Sequence, residues 1–288
     1  MKIKITWKTY QLRRPLTSKK LKGDNVYIMN MRLLLYIRSL CDAVYNVEYN
    51  HFMQAFIYDL LRNTFFDKLH AKSGYKFFCF SNIFPVGDLR NGDVRNIIIS
   101  SPSIDFIGIL SERLRNINNI KIGSMLFELI KFVRLNPNVE RRSIRLITGT
   151  PIILRIPKRK VIEYGPLLKE HYEYVYWRFN MPLKIFLEQL EANLIKKWGE
   201  YYGSRPPEDA LPLFNSSRIV LEPLKEVSTR VHYKSGTQVV VGTTWRFLLR
   251  DLNDQQVKLL RFGIETGLGE MNPQGFGFIN IEKVSSKI

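Results

Sequence analysis

One order of elements, strand-helix-strand-strand-helix-strand, can be read twice along this chain of 288 residues, and that repeat restricts its fold more than any single motif does. The first copy opens with an alternating strand at 31–38, followed by an amphipathic helix at 49–66. Strands at 75–84 and 94–101, joined through Pro85 to Asp88, come next. A second helix at 103–116 starts behind Pro102 with Ser103 as its cap, and an extended segment covers 120–134. The polar stretch from Asn136 to Arg142 reads as a linker. The order then returns as a strand at 143–155, a helix within 168–202, strands at 216–226 and 237–249, a helix at 253–265 and a strand at 276–283. An α+β protein of two tandem ferredoxin-like (RRM-like) domains, 31–137 and 143–284, is the expectation. Segments such as Thr237 to Phe247 alternate as half-covered antiparallel sheets do, which leaves the other sheet face free to bind.

Charge says what such a protein binds. Lys and Arg number 44 against 26 acids, a net +18 that favours a polyanion such as nucleic acid over a membrane surface. With 45% hydrophobic residues and 12% aromatics, the charge sits on a chain that can build a core. The first 30 residues form a separate basic extension with eight Lys/Arg and one acid, read either as an RNA-contacting arm or as a poorly ordered or non-native leader. The two cysteines, Cys41 and Cys79, lie in apolar runs without a CxxC partner. They are expected as buried thiols of a reducing cytoplasm, with no disulfide framework and no zinc site. No apolar run approaches the roughly 18 residues of a spanning helix, so a soluble, cytoplasmic protein without a membrane partner is expected.

Near the C-terminus, Gly267, Gly269, Gly275 and Gly277 form two Gly-hydrophobe-Gly triplets separated by five residues. Glycine accepts positive φ and lacks a Cβ, so the spacing marks backbone that something approaches closely. The expectation is RNA phosphate on the loop amides, with Glu270 turned away, although a tight turn between helix and strand also accounts for part of the pattern.

At these residues the chain resembles a known family. The glycine pattern, between a helix and a strand, is similar to the loop of the repeat-associated "mysterious protein" (RAMP) superfamily, and within it to the CRISPR-associated endoribonucleases of the Cas-six family. Met31 to Leu35 resembles that family's opening strand, and Tyr49-Asn-His51 with Gln54 to Tyr58 resembles its first helix. Leu69-His70 and Lys76 to Phe78 arrive at its spacing, and the likeness runs from about Met31 to Val284. It implies an active site of Tyr58, His70 and Lys76, a CRISPR repeat RNA substrate and no metal or other cofactor. In such a mechanism the substrate's own 2′-OH attacks the phosphorus and leaves 2′,3′-cyclic phosphate and 5′-OH ends. A histidine with a pKa near ~6.5 suits the proton transfers and a lysine suits the charge growing on the phosphorane. Tyr58 either activates or orients the 2′-OH. Each residue also has a plain reading: a boundary tyrosine, a solvated loop histidine, and an edge-strand lysine.

Further RNA contacts are expected at Arg218, Arg230, Lys234 and Arg246, along with Lys225 and Lys158 to Lys160, and affinity should fall as salt rises. The aromatic run Tyr172 to Trp177 could stack bases, or simply be core. Two rival readings stay open: a non-catalytic RNA-binding subunit of a CRISPR effector complex, and a generic tandem RRM-like module. A homodimer is compatible with any of them.

Overall fold

The structure, a computed structural model, describes residues 31–139, 143–162, 173–214, 217–233 and 236–282. The basic extension 1–30 and Lys234 lie outside the described residues.

In the N-terminal domain β1 (Arg32–Ser39) is the central strand. Its alternation places Leu33, Leu35 and Ile37 in the core and Leu34, Tyr36 and Arg38 on the other sheet face. Helix α1 (Tyr49–Leu60) covers the core face with Met53, Ile57 and Leu60 at helical spacing. Strands β2 (Cys79–Phe80) and β3 (Val94–Ser100) follow, then α2 (Ile104–Leu114) and the strands β4 (Asn119–Ile122) and β5 (Met125–Leu135). As expected, Ser103 caps α2, its Oγ accepting from the Phe106 amide at 3.2 Å. The antiparallel sheet runs β2-β3-β1-β5-β4.

The C-terminal domain repeats the plan. It contains β6 (Ser143–Thr148), an insertion of β7 (Arg155–Pro157), α3 (Lys158–Ile162) and β8 (Tyr174–Tyr176), and then α4 (Leu183–Tyr202). A long hairpin, β9 (Ile219–Tyr233) and β10 (Gly236–Arg250), leads to α5 (Asp254–Thr266) and β11 (Ile279–Ile281). The sheet order is β11-β6-β10-β9, so in both domains the first strand lies between the third and the last, the arrangement of a ferredoxin-like unit. Asn253 and Gln256 close a reciprocal capping box at the start of α5.

Several element boundaries differ from the sequence expectation. The segment 75–84 keeps only the two-residue β2, because Phe77 takes φ 53° and reverses the side-chain alternation. Phe77 then packs on Tyr201 of α4 at 5.0 Å between centroids, while Phe78 enters the N-terminal core. The 49–66 helix stops at Leu60, and a 3-10 turn forms at Asp67–Ala71. The segment 120–134 is a hairpin that turns at Gly123 (φ 62°), and 143–155 breaks after Thr148. Cys41 is half-exposed, so only Cys79 is the buried thiol expected of both.

Arg32 fastens the two domains together. Although part of β1, its guanidinium donates to the carbonyls of Ile264 (3.2 Å) and Ile279 (2.5 Å) and lies 4.8 Å from the centre of the Phe278 ring. Burial lowers its pKa to about 10, a shift opposed by the neighbouring Cys79 and Glu265.

Candidate active site and RNA interface

The chain brings Tyr58, His70 and Lys76 together from three different local structures. Tyr58 stands near the end of α1, His70 in the 3-10 turn, and Lys76 in the irregular segment ahead of β2. The rings of Tyr58 and His70 are 6.1 Å apart, and Lys76 Nζ lies 5.4 Å from the centre of the Tyr58 ring. Lys76 Nζ also donates to the His70 carbonyl at 2.9 Å, which ties the lysine to the turn that carries the histidine. His70 Nδ1 is 3.0 Å from the Asp67 carbonyl; as a donor there, the ring leaves Nε2 as its free nitrogen. His70 is exposed and Lys76 half-buried, and burial lowers the Lys76 pKa.

Tyr58 is more enclosed than its position beside the apolar stripe of α1 suggested. It packs edge-on to Phe78, and its hydroxyl is shielded from solvent without a hydrogen-bond partner among the described residues. Burial raises its pKa to about 12, slightly offset by Gln54 one turn earlier. Gln54 gives its own Nε2 to the Pro273 carbonyl at 2.9 Å, so its help to Tyr58 is weak. A phenol in that state stays protonated at neutral pH and is suited to donating a hydrogen bond.

The glycine loop corrects an expectation. Gly267, Gly269, Gly275 and Gly277 are all buried, with φ of 84°, 71°, 82° and 70°. The loop amides are engaged within the protein: Leu268 N bonds Gly277 O at 2.9 Å, Glu270 N bonds Ile153 O at 2.8 Å, Gly275 N bonds Asn272 O at 2.9 Å, and Gly277 N bonds Pro151 O at 2.8 Å. What approaches so closely is the protein's own backbone and core. A Cβ on Gly269 would lie 2.6 Å from Ile153 O, and one on Gly275 would lie 2.5 Å from the Phe80 ring. These four glycines therefore serve packing, and the amides of Gly275 and Gly277, with those of Leu268 and Glu270, are already taken by the protein's own carbonyls. Glu270 turns to Arg155, whose Nε it pairs with and whose amide it accepts at 3.1 Å.

The arginines divide by partner. Arg246 lies on the outer face of the C-terminal sheet between Glu222 (3.0 Å) and Glu282 (3.3 Å), and Arg218 reaches Gln256 at 3.3 Å. Two carboxylates already pair with Arg246, which leaves it less charge to offer an anion than its sequence suggested. Arg230 is exposed on β9 and lines a shallow pocket with His51, Gln54 and Gln274, which places it beside the start of α1 and the loop. In the aromatic run, Trp177 is core, whereas Tyr174 lies 5.1 Å from the Arg155 guanidinium.

Sequence reasoning missed Lys197. Almost fully buried in α4, it donates to Gly267 O at 2.7 Å and Asn272 Oδ1 at 2.5 Å, and so holds both ends of the first half of the loop. Burial lowers its pKa to about 7. A signal was present: Leu190, Asn193, Leu194 and Lys197 share one helical stripe, so two polar residues stand where core is expected. Between this stripe, the Lys76 segment and the loop is an inter-domain cleft. Among the described residues no group of three or more His, Cys, Asp or Glu side chains is arranged to hold a metal ion, and no helix is long and apolar enough to cross a membrane.

Two ferredoxin-like domains closed over a buried glycine-rich loop are the architecture that the resemblance to the RAMP superfamily implies. Comparison with known proteins narrows this. Residues 135–281 match the family model for the CRISPR associated protein Cas6, C-terminal. The chain is 32% identical over 251 residues to the CRISPR-associated endoribonuclease Cas6 2 of Methanocaldococcus jannaschii, covering 87% of this chain and 99% of that protein. It is 30% identical over 257 residues to the CRISPR-associated endoribonuclease Cas6 of Haloferax mediterranei, covering 87% and 93%. In fold it is similar to a Cas6-related protein from Pyrococcus furiosus, with a TM-score of 0.65 at 20% identity over 88% of this chain and 98% of that one. A RAMP protein binding different RNA substrates matches with the same score and identity, over 88% and 100%. The chain belongs to the Cas6 family.

Proposed function

We propose that this protein is the endoribonuclease that cuts CRISPR repeat RNA into mature guide RNAs, without a metal, and that Tyr58, His70 and Lys76 carry the reaction. The observation that supports the assignment is their convergence: a ring separation of 6.1 Å between Tyr58 and His70, with the Lys76 amine 5.4 Å from the tyrosine ring. His70, exposed in its 3-10 turn, performs proton transfer through Nε2. Lys76 neutralises charge on the phosphorane oxygens. Tyr58, kept protonated by burial, orients the 2′-OH once RNA binding uncovers its shielded hydroxyl, and does not deprotonate it.

Attack of the 2′-oxygen on phosphorus expels the 5′-oxygen, so the products carry a 2′,3′-cyclic phosphate and a 5′-OH. Binding draws on basic groups around the cleft and hairpin, Arg230 and Lys196 among them, and by charge alone on Lys234. The proposal extends to the setting, the cytoplasm, and to delivery of the guide to a CRISPR effector complex. Size-exclusion chromatography with and without RNA distinguishes a monomer from a homodimer.

The test is cleavage of labelled repeat RNA in EDTA. We expect one cut per repeat, lost when the nucleotide 5′ of the cut carries a 2′-deoxyribose. Continued cutting of that substrate would refute the mechanism. Binding without any 5′-OH fragment would favour the non-catalytic RNA-binding subunit.

A further inference from the structure

The inter-domain cleft contains a cavity of about 530 Å3, within the range of about 300–1,000 Å3 that ligand sites span. Its walls combine three chemistries. Lys76 and Lys196 bring positive charge, with Arg155 already paired to Glu270 on the same wall, Tyr75 brings a half-buried ring, and Asn193 of α4 and Gln274 of the glycine loop bring side-chain amides. The Tyr75 ring is fixed on both sides: Phe77 is 6.1 Å away and Lys197 Nζ is 5.9 Å from its centre.

The amides supply the specific observation. Asn193 is 7% exposed and gives Nδ2 to the Tyr75 hydroxyl at 3.4 Å, while its Oδ1 is buried and accepts no hydrogen bond from the described residues. Gln274 Oε1 is in the same condition. Buried acceptors in native proteins are nearly always paired, so two of them on residues of one cavity wall suit a ligand that brings donors and to which a rotation of each amide would present its oxygen. A phosphate cannot bring donors, since it only accepts at neutral pH. A nucleobase amino group can, and side-chain amides are the usual readers of such edges. Uracil fits poorly, because its single ring N–H is flanked by two carbonyl oxygens that would face these acceptors.

We infer that this cavity is a base-reading subsite: it takes one unstacked nucleotide whose base carries an exocyclic amino group, reads that group with Asn193 and Gln274, and seats the ring beside Tyr75. Because Lys76 lines this cavity and also belongs to the proposed catalytic set, the nucleotide read is at or next to the scissile phosphate. The inference rests on the endoribonuclease reading, and it makes the choice of cut site partly a matter of base identity at one position.

The experiment is an amine scan. Each nucleotide within three of the cut is replaced singly by its counterpart without the amino group: purine riboside for adenosine, inosine for guanosine, uridine for cytidine. Single-turnover kcat/KM is measured for the wild-type chain, Gln274→Ala and Asn193→Ala, with a melting curve for each. The expected result is one position at which amine loss lowers wild-type kcat/KM about tenfold, and at which the same loss changes Gln274→Ala by less than twofold. Gln274 is only half-buried, so this variant keeps the test valid even where Asn193→Ala does not fold. Tolerance of amine loss at every position, or a penalty undiminished in Gln274→Ala, overturns the subsite. Should no RNA be cut at all, the endoribonuclease reading fails separately. The scan is then read by Kd, where one amine-dependent position lost in Gln274→Ala supports the subsite and uniform affinity refutes it.

Discussion

The Tyr58 hydroxyl is buried and makes no hydrogen bond within the described protein, and a residue in that state can be truncated with little loss of stability. Tyr58→Phe should therefore melt within about a degree of the wild type while cleaving about tenfold more slowly, the loss of one hydrogen bond of about 1.4 kcal/mol to the 2′-OH. A fall as deep as that of His70→Ala would mean that the phenol is the base, in spite of the burial that holds its pKa near 12. For His70→Ala we expect a loss of about 10²–10⁴-fold in cleavage with RNA affinity nearly unchanged, measured by single-turnover kinetics and fluorescence anisotropy. The family resemblance nominated these candidates, but sequence could not reveal how they meet. The Lys76 bond to the His70 carbonyl depends on a 3-10 turn that ordinary helical periodicity does not encode, and the Tyr58 environment depends on Phe78, twenty residues along the chain.

Among the elements, the glycine loop shows what spacing conveys and what it omits. Four glycines announced that Cβ atoms are not tolerated, and the structure agrees: at Gly277 a Cβ would fall 1.9 Å from Leu268 O. The sequence could not say whether RNA or protein makes the approach, because that depends on where β6, β2 and the loop meet. Gly277→Ala should destabilise the protein by at least about 3 kcal/mol, seen as a lowered melting temperature with or without RNA; a drop confined to RNA affinity would restore the phosphate cradle. Helix α4 makes the complementary case. Lys197→Met keeps the length of the side chain but leaves Asn272 Oδ1 without its donor and Gly267 O with only the 3.4 Å bond from Thr266 Oγ1, and a buried acceptor that loses its partner costs about 1–3 kcal/mol. We expect a destabilisation of about 2–4 kcal/mol in urea unfolding, whereas an unchanged midpoint would show that the loop is held by its backbone bonds alone. The strand segments were legible where alternation was intact, as in β1 and β10. They were lost where one residue changed its hand, as at Phe77, which divides its neighbours between two cores.

The whole molecule depends on two domains keeping one geometry, since the cleft is formed from both, and their junction contains buried ionisable groups. Arg32 from β1 lies there with Cys79 and Glu265, the latter 5% exposed and with one carboxyl oxygen unpartnered. Burial raises the Glu265 pKa from 4.5 to about 7, against the attraction of Arg261 and Arg32. A group whose folded pKa is raised binds its proton more tightly in the native state, so the stability linked to it is present below about pH 4.5 and is lost as pH rises through about 7. The loss is on the order of 3 kcal/mol across that window. Lys197 acts with the opposite sign: its pKa is lowered from 10.5 to about 7, so its contribution grows as pH rises from about 7. The two windows meet at about pH 7, and a difference between wild type and variant removes the lysine from the comparison. Glu265→Gln should unfold at nearly the wild-type urea midpoint at pH 5 and be more stable than wild type at pH 8, by about 1–3 kcal/mol. Equal midpoints at both pH values would mean that Glu265 is ionised throughout, its charge matched by Arg32 and Arg261, and that the junction is an ion-paired seam that does not take up a proton.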